Sequence, residues 1–248
     1  MSETVIARRF RGPNHSGNGG YVAGVVAAAV GPSAVVTLRK PIPLETPLTL
    51  ERTAEGARLM QGALLLGEAA PDPGPDDAPG PVPLDLARAA SARPLIEDAA
   101  HAAPHCWVCG PHAPAHALHI RTGATGLAPG AGPPAAAVWN PQPEHAGADG
   151  LVDAVHLWSA LDCPSGVAAM AAGTAPIDAQ YLLLGRIAAR IERRPPLGAP
   201  LVVTARAAGR DGRKRFAESA VHDAEGNRLA LARAIWFEID PARFEGVV

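Results

Sequence analysis

The clearest hydrophobic pattern in the chain is an unbroken apolar segment near its start that directly follows a polar, glycine-rich stretch. Residues 22–30 read VAGVVAAAV, whereas residues 14–21 read NHSGNGGY. A helix over residues 22–30 would have no face suited to water, so we expect a sheet to enclose it. The glycine-rich loop would place free backbone N–H groups at the positive end of the helix dipole. This arrangement favours an anion or a polarised carbonyl oxygen.

Most other apolar segments are short and partly alternating, and turn residues separate them. This pattern predicts antiparallel strands joined by tight turns. The expected strands are residues 4–9, 34–40, 47–53 and 57–69 in the first part of the chain, and residues 117–122, 135–139, 179–192, 200–208, 213–223 and 228–239 in the second.

Three further segments complete the predicted outline. Residues 71–83 are rich in proline, glycine and aspartate without periodicity, which is typical of a linker. Residues 84–100 are predicted to form a short helix or two that continue this crossover. A second apolar helix is expected over residues 151–162, and the sequence CPSG at residues 163–166 is expected to end it.

Two short segments of the chain recur in the same order. HSGNGG at residues 15–20 aligns with HAGADG at residues 145–150, and PLETPL at residues 43–48 aligns with PLGAPL at residues 196–201. In both copies a glycine loop precedes a helix, then a strand, then a Pro-Leu turn into the next strand. The pattern predicts a duplication, with a first repeat in residues 1–70, a crossover in residues 71–100 and a second repeat in residues 101–248.

A buried helix that is entered by a His-Gly-Gly-like loop and wrapped by a long antiparallel sheet resembles the hotdog fold of acyl-CoA thioesterases and dehydratases. Two copies in one chain resemble the double-hotdog form. The sequences CWVCGP at residues 106–111, ALHIRTG at residues 117–123 and LWSALDCPSG at residues 157–166 are similar to segments of thioesterase-like proteins. The resemblance implies an α+β double hotdog with two buried helices, each wrapped by a curved antiparallel sheet.

The resemblance also implies where thioester chemistry would take place. Backbone N–H groups at a helix N-terminus would hold the carbonyl oxygen, and Gly19, Gly20 and Gly150 match that position. A carboxylate about two turns into the helix would attack the thioester or activate water. Counting eight residues from Gly20 gives Ala28, and counting eight from Gly150 gives Trp158; neither is acidic.

Asp162 lies four residues beyond Trp158 and therefore on the same helical face, so we expect it to be the catalytic carboxylate. A purely structural role at a helix end is the alternative. Asn18 and His15 are the other candidate catalytic residues, as an orienting amide and a general base, although each could serve only the loop structure.

Further residues are candidates for binding the substrate. Beside the three glycines, the expected set comprises Tyr21, Asp153 and Trp158, with Asp153 alternatively serving the helix dipole. Basic residues at matching strand ends could contact coenzyme A phosphates, or be ordinary exposed charges: Arg39, Lys40, Arg193 and Arg194.

Composition narrows the class of protein. Hydrophobic residues make up 48% of the 248 residues, and aromatic residues make up only 4%, while the net charge is −2. These values argue against nucleic-acid and membrane-surface partners. No apolar run reaches the roughly 18 residues of a membrane-spanning helix. The three cysteines are too few for a disulfide scaffold, so we expect a cytoplasmic protein.

Cys106 and Cys109, with His105 and His112 nearby, could bind zinc, but one Cys-x-x-Cys pair is a weak signal and Cys163 is the only other cysteine. We therefore expect neither a metal nor a cofactor. The predicted function is hydrolysis of an acyl-CoA or related thioester, by a protein that could form a homodimer. A non-catalytic acyl-CoA or lipid-binding protein, a dehydratase or hydratase of the same fold, and a small scaffold protein remain alternatives.

Overall fold

The computed structural model describes residues 1–173, 175–177 and 180–240. Within them the chain forms three α-helices and one antiparallel sheet of eleven strands. The helices are α1 (Gly19–Ala27), α2 (Leu84–Ser91) and α3 (Ala154–Ala171). The strands are β1 (Ser2–Val5), β2 (Ser33–Leu38), β3 (Pro47–Arg52), β4 (Ala57–Gln61), β5 (Leu64–Pro71), β6 (Gly123–Ala124), β7 (Ala135–Trp139), β8 (Leu182–Ile191), β9 (Leu201–Asp211), β10 (Lys214–His222) and β11 (Arg228–Glu238). No helix in these ranges is long and apolar enough to cross a membrane.

The sheet has two halves with the same strand order. Its full order is β1-β3-β4-β5-β2-β8-β11-β10-β9-β7-β6, and the halves meet where β2 pairs with β8. Outward from this junction, one half runs β2-β5-β4-β3-β1 and the other runs β8-β11-β10-β9-β7. The two Pro-Leu turns of the sequence repeat lead into β3 and β9, which hold equivalent places. The sheet topology therefore matches the repeat found in the sequence.

Each half of the sheet covers one long apolar helix. Helix α1 lies against β2 and β5, helix α3 lies against β9, β10 and β11, and the two helices pack against each other. The approach is so close that side chains would not fit at two positions of α1. A Cβ atom on Gly20 would lie 2.5 Å from Asp162 Cβ, and one on Gly24 would lie 2.8 Å from Val155 Cα. The predicted architecture of two buried helices wrapped by an antiparallel sheet is confirmed.

Helix α3 continues two turns beyond its predicted end, so the expected stop at residues 163–166 is wrong. Pro164 lies inside the helix, where a proline removes one backbone N–H and crowds the preceding turn. Two hydroxyl groups bind carbonyls in this turn. Ser219 on β10 donates to the Leu161 carbonyl at 2.7 Å, and Ser165 donates to the Asp162 carbonyl at 2.7 Å. The missing N–H of Pro164 leaves the Ala160 carbonyl without its helical donor, and the two hydroxyl groups anchor the buried turn that follows this carbonyl.

Four strand predictions need correction or restriction. The strand expected at residues 4–9 is present only as β1, which ends at Val5, and a 3₁₀-helix occupies Arg8–Phe10. The expected strand at residues 117–122 is wrong, because Leu118 and Ile120 donate to the carbonyls of Trp107 and Val108 instead of joining the sheet. Residues 57–69 form two strands rather than one, since the chain turns at Gly62 with a positive φ of 56°. The strand expected at residues 179–192 is present as β8, but residue 179 lies outside the described residues.

Candidate active site between the two helices

Asp162 is the central polar residue of the interface between the two helices. It is the ninth residue of α3, and only 1% of its surface is exposed. Its Oδ2 atom accepts hydrogen bonds from the backbone N–H of Gly20 and from Asn18 Nδ2, both at 2.9 Å. Its Oδ1 atom is buried and has no hydrogen-bond partner in the described part of the chain. One carboxylate oxygen is thus held by two donors, while the other is buried without a partner.

Asn18 links the start of α1 to Asp162. It is the N-cap of α1, and its Oδ1 atom accepts from the backbone N–H of Tyr21 at 2.9 Å. This contact fixes the orientation of the amide, so its Nδ2 group must face Asp162. Asn18 therefore both caps α1 and holds Asp162, and its proposed orientation of a substrate carbonyl or a water molecule stays a prediction.

Gly19 and Gly20 differ in what their backbone N–H groups do. The N–H of Gly20 is occupied by Asp162. The N–H of Gly19 has no acceptor among the described residues, and Gly19 is the first residue of α1 and borders a cavity. A donor in this position combines a free N–H with the positive end of the helix dipole.

Burial governs the electrostatics of this site. It raises the pKa of Asp162 to about 7, although the hydrogen bonds from Gly20 and Asn18 favour the carboxylate. Hydrogen bonds with the thiols of Cys109 and Cys163 lower the pKa of the Cys106 thiol. Since this sulfur lies near Asp162, a thiolate there adds to the upward shift of the Asp162 pKa.

The three cysteines of the chain converge beside Asp162. Their Sγ atoms all lie within 4.8 Å of one another, and the distance between Cys106 Sγ and Cys163 Sγ is 3.7 Å. All three are free thiols. Asn18 Nδ2 lies 3.7 Å from the sulfur atoms of both Cys106 and Cys163.

A cavity of about 400 Å³ opens from this polar centre. Asn18, Gly19, the three cysteines and Asp162 border one part of it, and the exposed residues Arg39 and Lys40 also contribute to its wall. The apolar part of its wall includes Val167, Met170, Ile177, Leu184, Trp236 and Phe237. The cavity therefore joins one buried carboxylate and one free N–H to an apolar space, the arrangement expected of a small-molecule site.

Several solved structures share this fold over most of their length. Acyl-CoA thioesterase II TesB2 from Mycobacterium marinum is similar to 97% of this chain and 93% of its own, with a TM-score of 0.63 and 14% identity. A putative thioesterase II from Thermobifida fusca is similar over 95% and 92% of the two chains, with a TM-score of 0.58 and 15% identity. A protein of unknown function with a hot dog fold from Alicyclobacillus acidocaldarius is similar over 96% of this chain and 93% of its own, with a TM-score of 0.54 and 11% identity.

The chain is a double hotdog. At these identities the likeness establishes the fold alone, so the activity has to be argued from the site. The sequence itself matches no protein-family profile and no curated protein at a significant level.

The double hotdog does not bring every predicted site residue to this cavity. The side chain of His15 is exposed and does not border it. Tyr21, Asp153 and Trp158 border a second cavity of about 630 Å³, together with Arg193 and Arg194. Burial raises the pKa of Tyr21 to about 12, so its phenol is a neutral group in the wall of that second cavity.

The expectation that Gly150 opens the second helix is wrong. Gly150 is exposed, has a φ of 77° and belongs to a turn that its N–H closes onto the Gly147 carbonyl at 3.0 Å. Helix α3 begins only at Ala154, with Asp153 as its N-cap accepting from the N–H of Val155 at 3.0 Å. Asp153 therefore marks the start of α3, and not Gly150, to which the sequence alignment assigned it.

Aligning the two N-caps, Asn18 and Asp153, changes the comparison of the helices. In this frame Asp162 is equivalent to Ala27 and lies two turns into its helix, where the family resemblance places the acid.

The apolar wall residues Leu184 and Trp236 were not identified in the sequence. They belong to β8 and β11, whose alternating patterns predict strands without indicating which cavity their side chains border.

Proposed function

We propose that this double hotdog hydrolyses the thioester of an acyl-CoA or a related acyl thioester. The observation that supports this most is the state of Asp162. One oxygen of its buried carboxylate is fixed by two N–H donors, and the other has no partner among the described residues and belongs to a residue of the cavity wall. A general base needs such an arrangement, because its free oxygen must accept a proton in a defined direction.

Each group in the cavity then has one role. The N–H of Gly19 donates to the thioester carbonyl oxygen and stabilises the negative charge that develops there. Asp162 Oδ1 accepts a proton from a water molecule as the water oxygen forms a bond to the carbonyl carbon. The tetrahedral intermediate collapses by breaking the carbon–sulfur bond, and the proton held by Asp162 passes to the departing thiolate. Asn18 is a positioning residue, since it acts by holding Asp162 Oδ2.

The walls of the cavity suit the two ends of such a substrate. The apolar part around Met170, Leu184 and Trp236 matches an acyl chain. On the exposed part of the wall, Arg39 is paired with Glu68, whereas Lys40 makes no ion pair within the described ranges. Lys40 is therefore the cation best placed to contact the phosphates of coenzyme A.

The test compares two aspartate-to-asparagine changes on the same helix. Asp162→Asn removes the proton acceptor, so we expect kcat to fall about 100- to 10,000-fold across a series of acyl-CoA chain lengths. Asp153→Asn is the matched control, because asparagine also serves as an N-cap and this residue borders the other cavity. Equal rates in the two variants would remove Asp162 from the mechanism.

The same assay separates the alternative functions. A non-catalytic acyl-CoA-binding protein is the alternative that a missing helical acid favours, whereas Asp162 lies two turns into α3. Binding of acyl-CoA without turnover by the wild-type chain would nevertheless favour that alternative. Hydration chemistry would pair a histidine with the acid, but in the described residues the candidate His15 is exposed and away from the cavity.

The cell compartment and the oligomeric state belong to the same proposal. The three free thiols favour the reducing cytoplasm, since neighbouring cysteines in an oxidising compartment tend to form disulfides. Strand β1 ends the described sheet on one side and offers an unpaired edge for a second copy, whereas β6 on the other side is bridged by Pro94. Light scattering of the purified chain would show whether it is a homodimer.

A further inference from the structure

Three cysteines from distant parts of the chain meet at one point. Cys106 and Cys109 lie in the loop between α2 and β6, and Cys163 lies on α3, more than fifty residues later. They are all the cysteines that the sequence contains. Their convergence beside Asp162 serves no step of the proposed hydrolysis, so it calls for a separate explanation.

The spacing of the sulfur atoms is that of a metal site. A tetrahedral zinc ion with Zn–S bonds of 2.3 Å holds its sulfur ligands about 3.8 Å apart. Cys106 Sγ and Cys163 Sγ are separated by 3.7 Å. The largest separation in the group is at most 4.8 Å, about 1 Å longer than a tetrahedral edge. Small side-chain rotations would therefore bring all three sulfur atoms onto one ion.

The backbone around Cys106 and Cys109 holds the two sulfur atoms together. The N–H of Gly110 donates to the Cys106 carbonyl at 2.9 Å and closes a tight turn. A Cβ atom on Gly110 would lie 2.4 Å from the backbone nitrogen of Cys106, so only glycine fits this turn. Two cysteines separated by two residues are also the usual pair of ligands in structural zinc sites.

Asn18 supplies a hydrogen-bond donor to the same group. Its Nδ2 atom lies 3.7 Å from the sulfur atoms of Cys106 and Cys163 while it also holds Asp162. Donors of this kind stabilise thiolate ligands and fix their orientation in metal sites. A thiol is a weak acceptor, whereas a metal-bound thiolate is a strong one, so the contact is more useful with an ion present.

We infer that Cys106, Cys109 and Cys163 bind one Zn²⁺ ion through three thiolates, with a water molecule from the adjoining cavity as the fourth ligand. His105 and His112 take no part, because within the described residues the cluster contains the three cysteines only. His105 Nδ1 instead lies 3.0 Å from the His112 carbonyl oxygen. The ion would tie the loop after the crossover to α3 directly beside Asp162.

The test measures metal binding by the full, reduced chain. The protein is treated with a phosphine reductant and a chelator, its three thiols are counted, and Zn²⁺ is titrated against a chromophoric chelator. We expect one Zn²⁺ per chain. Each single Cys→Ser variant should bind Zn²⁺ at least about 100-fold more weakly than the wild type. This loss is larger than the one expected from removing a residue that only hydrogen-bonds to a metal ligand. His112→Ala is the control and should bind as tightly as the wild type.

A second measurement keeps the inference testable if a serine variant does not fold. Co²⁺ bound to the wild-type chain should show thiolate-to-metal charge-transfer bands of an intensity that corresponds to three thiolates, with the visible bands of a tetrahedral ion. No Zn²⁺ uptake by the reduced protein would overturn the inference, as would a cobalt spectrum with fewer than three thiolates or undiminished binding by Cys163→Ser. The readout needs no thioester, so it stands apart from the test of hydrolysis.

Discussion

The backbone N–H of Gly19 can be removed with little other change to the protein. Gly19 is the first residue of α1, a position that accepts proline because its N–H has no partner inside the helix. Asn18 has a φ of −61° and a ψ of 132°, an extended conformation that a following proline allows. Gly19→Pro therefore deletes the proposed donor to the thioester carbonyl while the helix can still form.

Gly19→Ala is the matched control, because it keeps the N–H and places a Cβ atom in nearly the same position. That atom would lie 2.8 Å from Leu184 Cδ2, so both variants must displace the same side chain. We expect each to lose about 1–2 kcal/mol of unfolding free energy, as moderate overpacking does. Because the two variants should be equally stable, the difference between their kcat values reports the effect of the Gly19 N–H donor alone.

The expected difference between these variants follows from the size of an oxyanion interaction. Loss of one preorganised donor reduces kcat about 100- to 1,000-fold. The Gly20 N–H is held by Asp162 at 2.9 Å and is a poor replacement. The measurement is kcat at saturating acyl-CoA, which separates the chemical step from any change in binding by the proline ring. A kcat for Gly19→Pro within threefold of that for Gly19→Ala would refute the role of this donor.

Three further predictions follow from contacts in the structure. Gly20→Ala should lower the unfolding free energy measured in urea by about 2–3 kcal/mol, because its Cβ atom would lie 2.5 Å from Asp162 Cβ. Gly80→Ala is the control and should leave the unfolding free energy unchanged, because no atom lies within 4 Å of the added Cβ atom. Lys40→Ala should raise KM for acyl-CoA and leave kcat unchanged, and the effect should shrink at high salt. Burial lowers the pKa of His156 to about 4, so unfolding free energy should fall as the pH drops from 6.5, by about 3 kcal/mol at pH 4. His156→Phe should remove this part of the acid sensitivity in urea unfolding at both pH values, and an equal loss in both proteins would contradict the assignment.

Local patterns in the sequence predicted most of the sheet and the first helix. Strand β7 begins and ends at the predicted residues, and β3, β10 and β11 differ from their predictions by one residue at one end or at both. These strands are recognisable because each is a short, largely apolar segment, and for β7, β10 and β11 burial extends along most of the strand. The repeat is equally local, since each copy carries its own glycine loop and Pro-Leu turn.

The misses concern contacts between residues far apart in the chain. Pro164 indicates a helix end in the sequence, whereas in the structure α3 continues through it while packed against β9, β10 and β11, and the Ser219 hydroxyl of β10 anchors the same turn. Gly19 and Gly20 look equivalent in the sequence, and only Asp162 distinguishes them by occupying one N–H. Helical periodicity grouped Asp162 with Trp158, but Asp162 borders the first cavity and Trp158 the second, and the catalytic role of Asp162 stays a prediction.

The two cavities explain why a duplicated fold would carry a single chemical site. The first is bordered by the N-terminus of α1, the middle of α3 and the end of β2. The second is bordered by the N-terminus of α3, the middle of α1 and the end of β8, which is the equivalent arrangement with the two copies exchanged. The position in α1 that corresponds to Asp162 is Ala27, and the N-terminus of α3 carries the carboxylate of Asp153.

Ala154 is the equivalent of Gly19 at the second cavity, and its N–H likewise has no acceptor among the described residues. The differences are that the N-cap beside it is the carboxylate of Asp153 in place of the Asn18 amide, and that an alanine stands in the position of the first cavity's general base. A thioester carbonyl bound there would have the negative charge of Asp153 beside its donor and would find no carboxylate two turns along the facing helix. Restoring the acid alone with Ala27→Asp should leave the second cavity inactive, because Ala27 does not border this cavity and the Asp153 carboxylate would still lie beside the developing oxyanion. The appropriate assay is hydrolysis in the Asp162→Asn background, where recovery of activity by Ala27→Asp would show that the carboxylate alone decides which cavity is active.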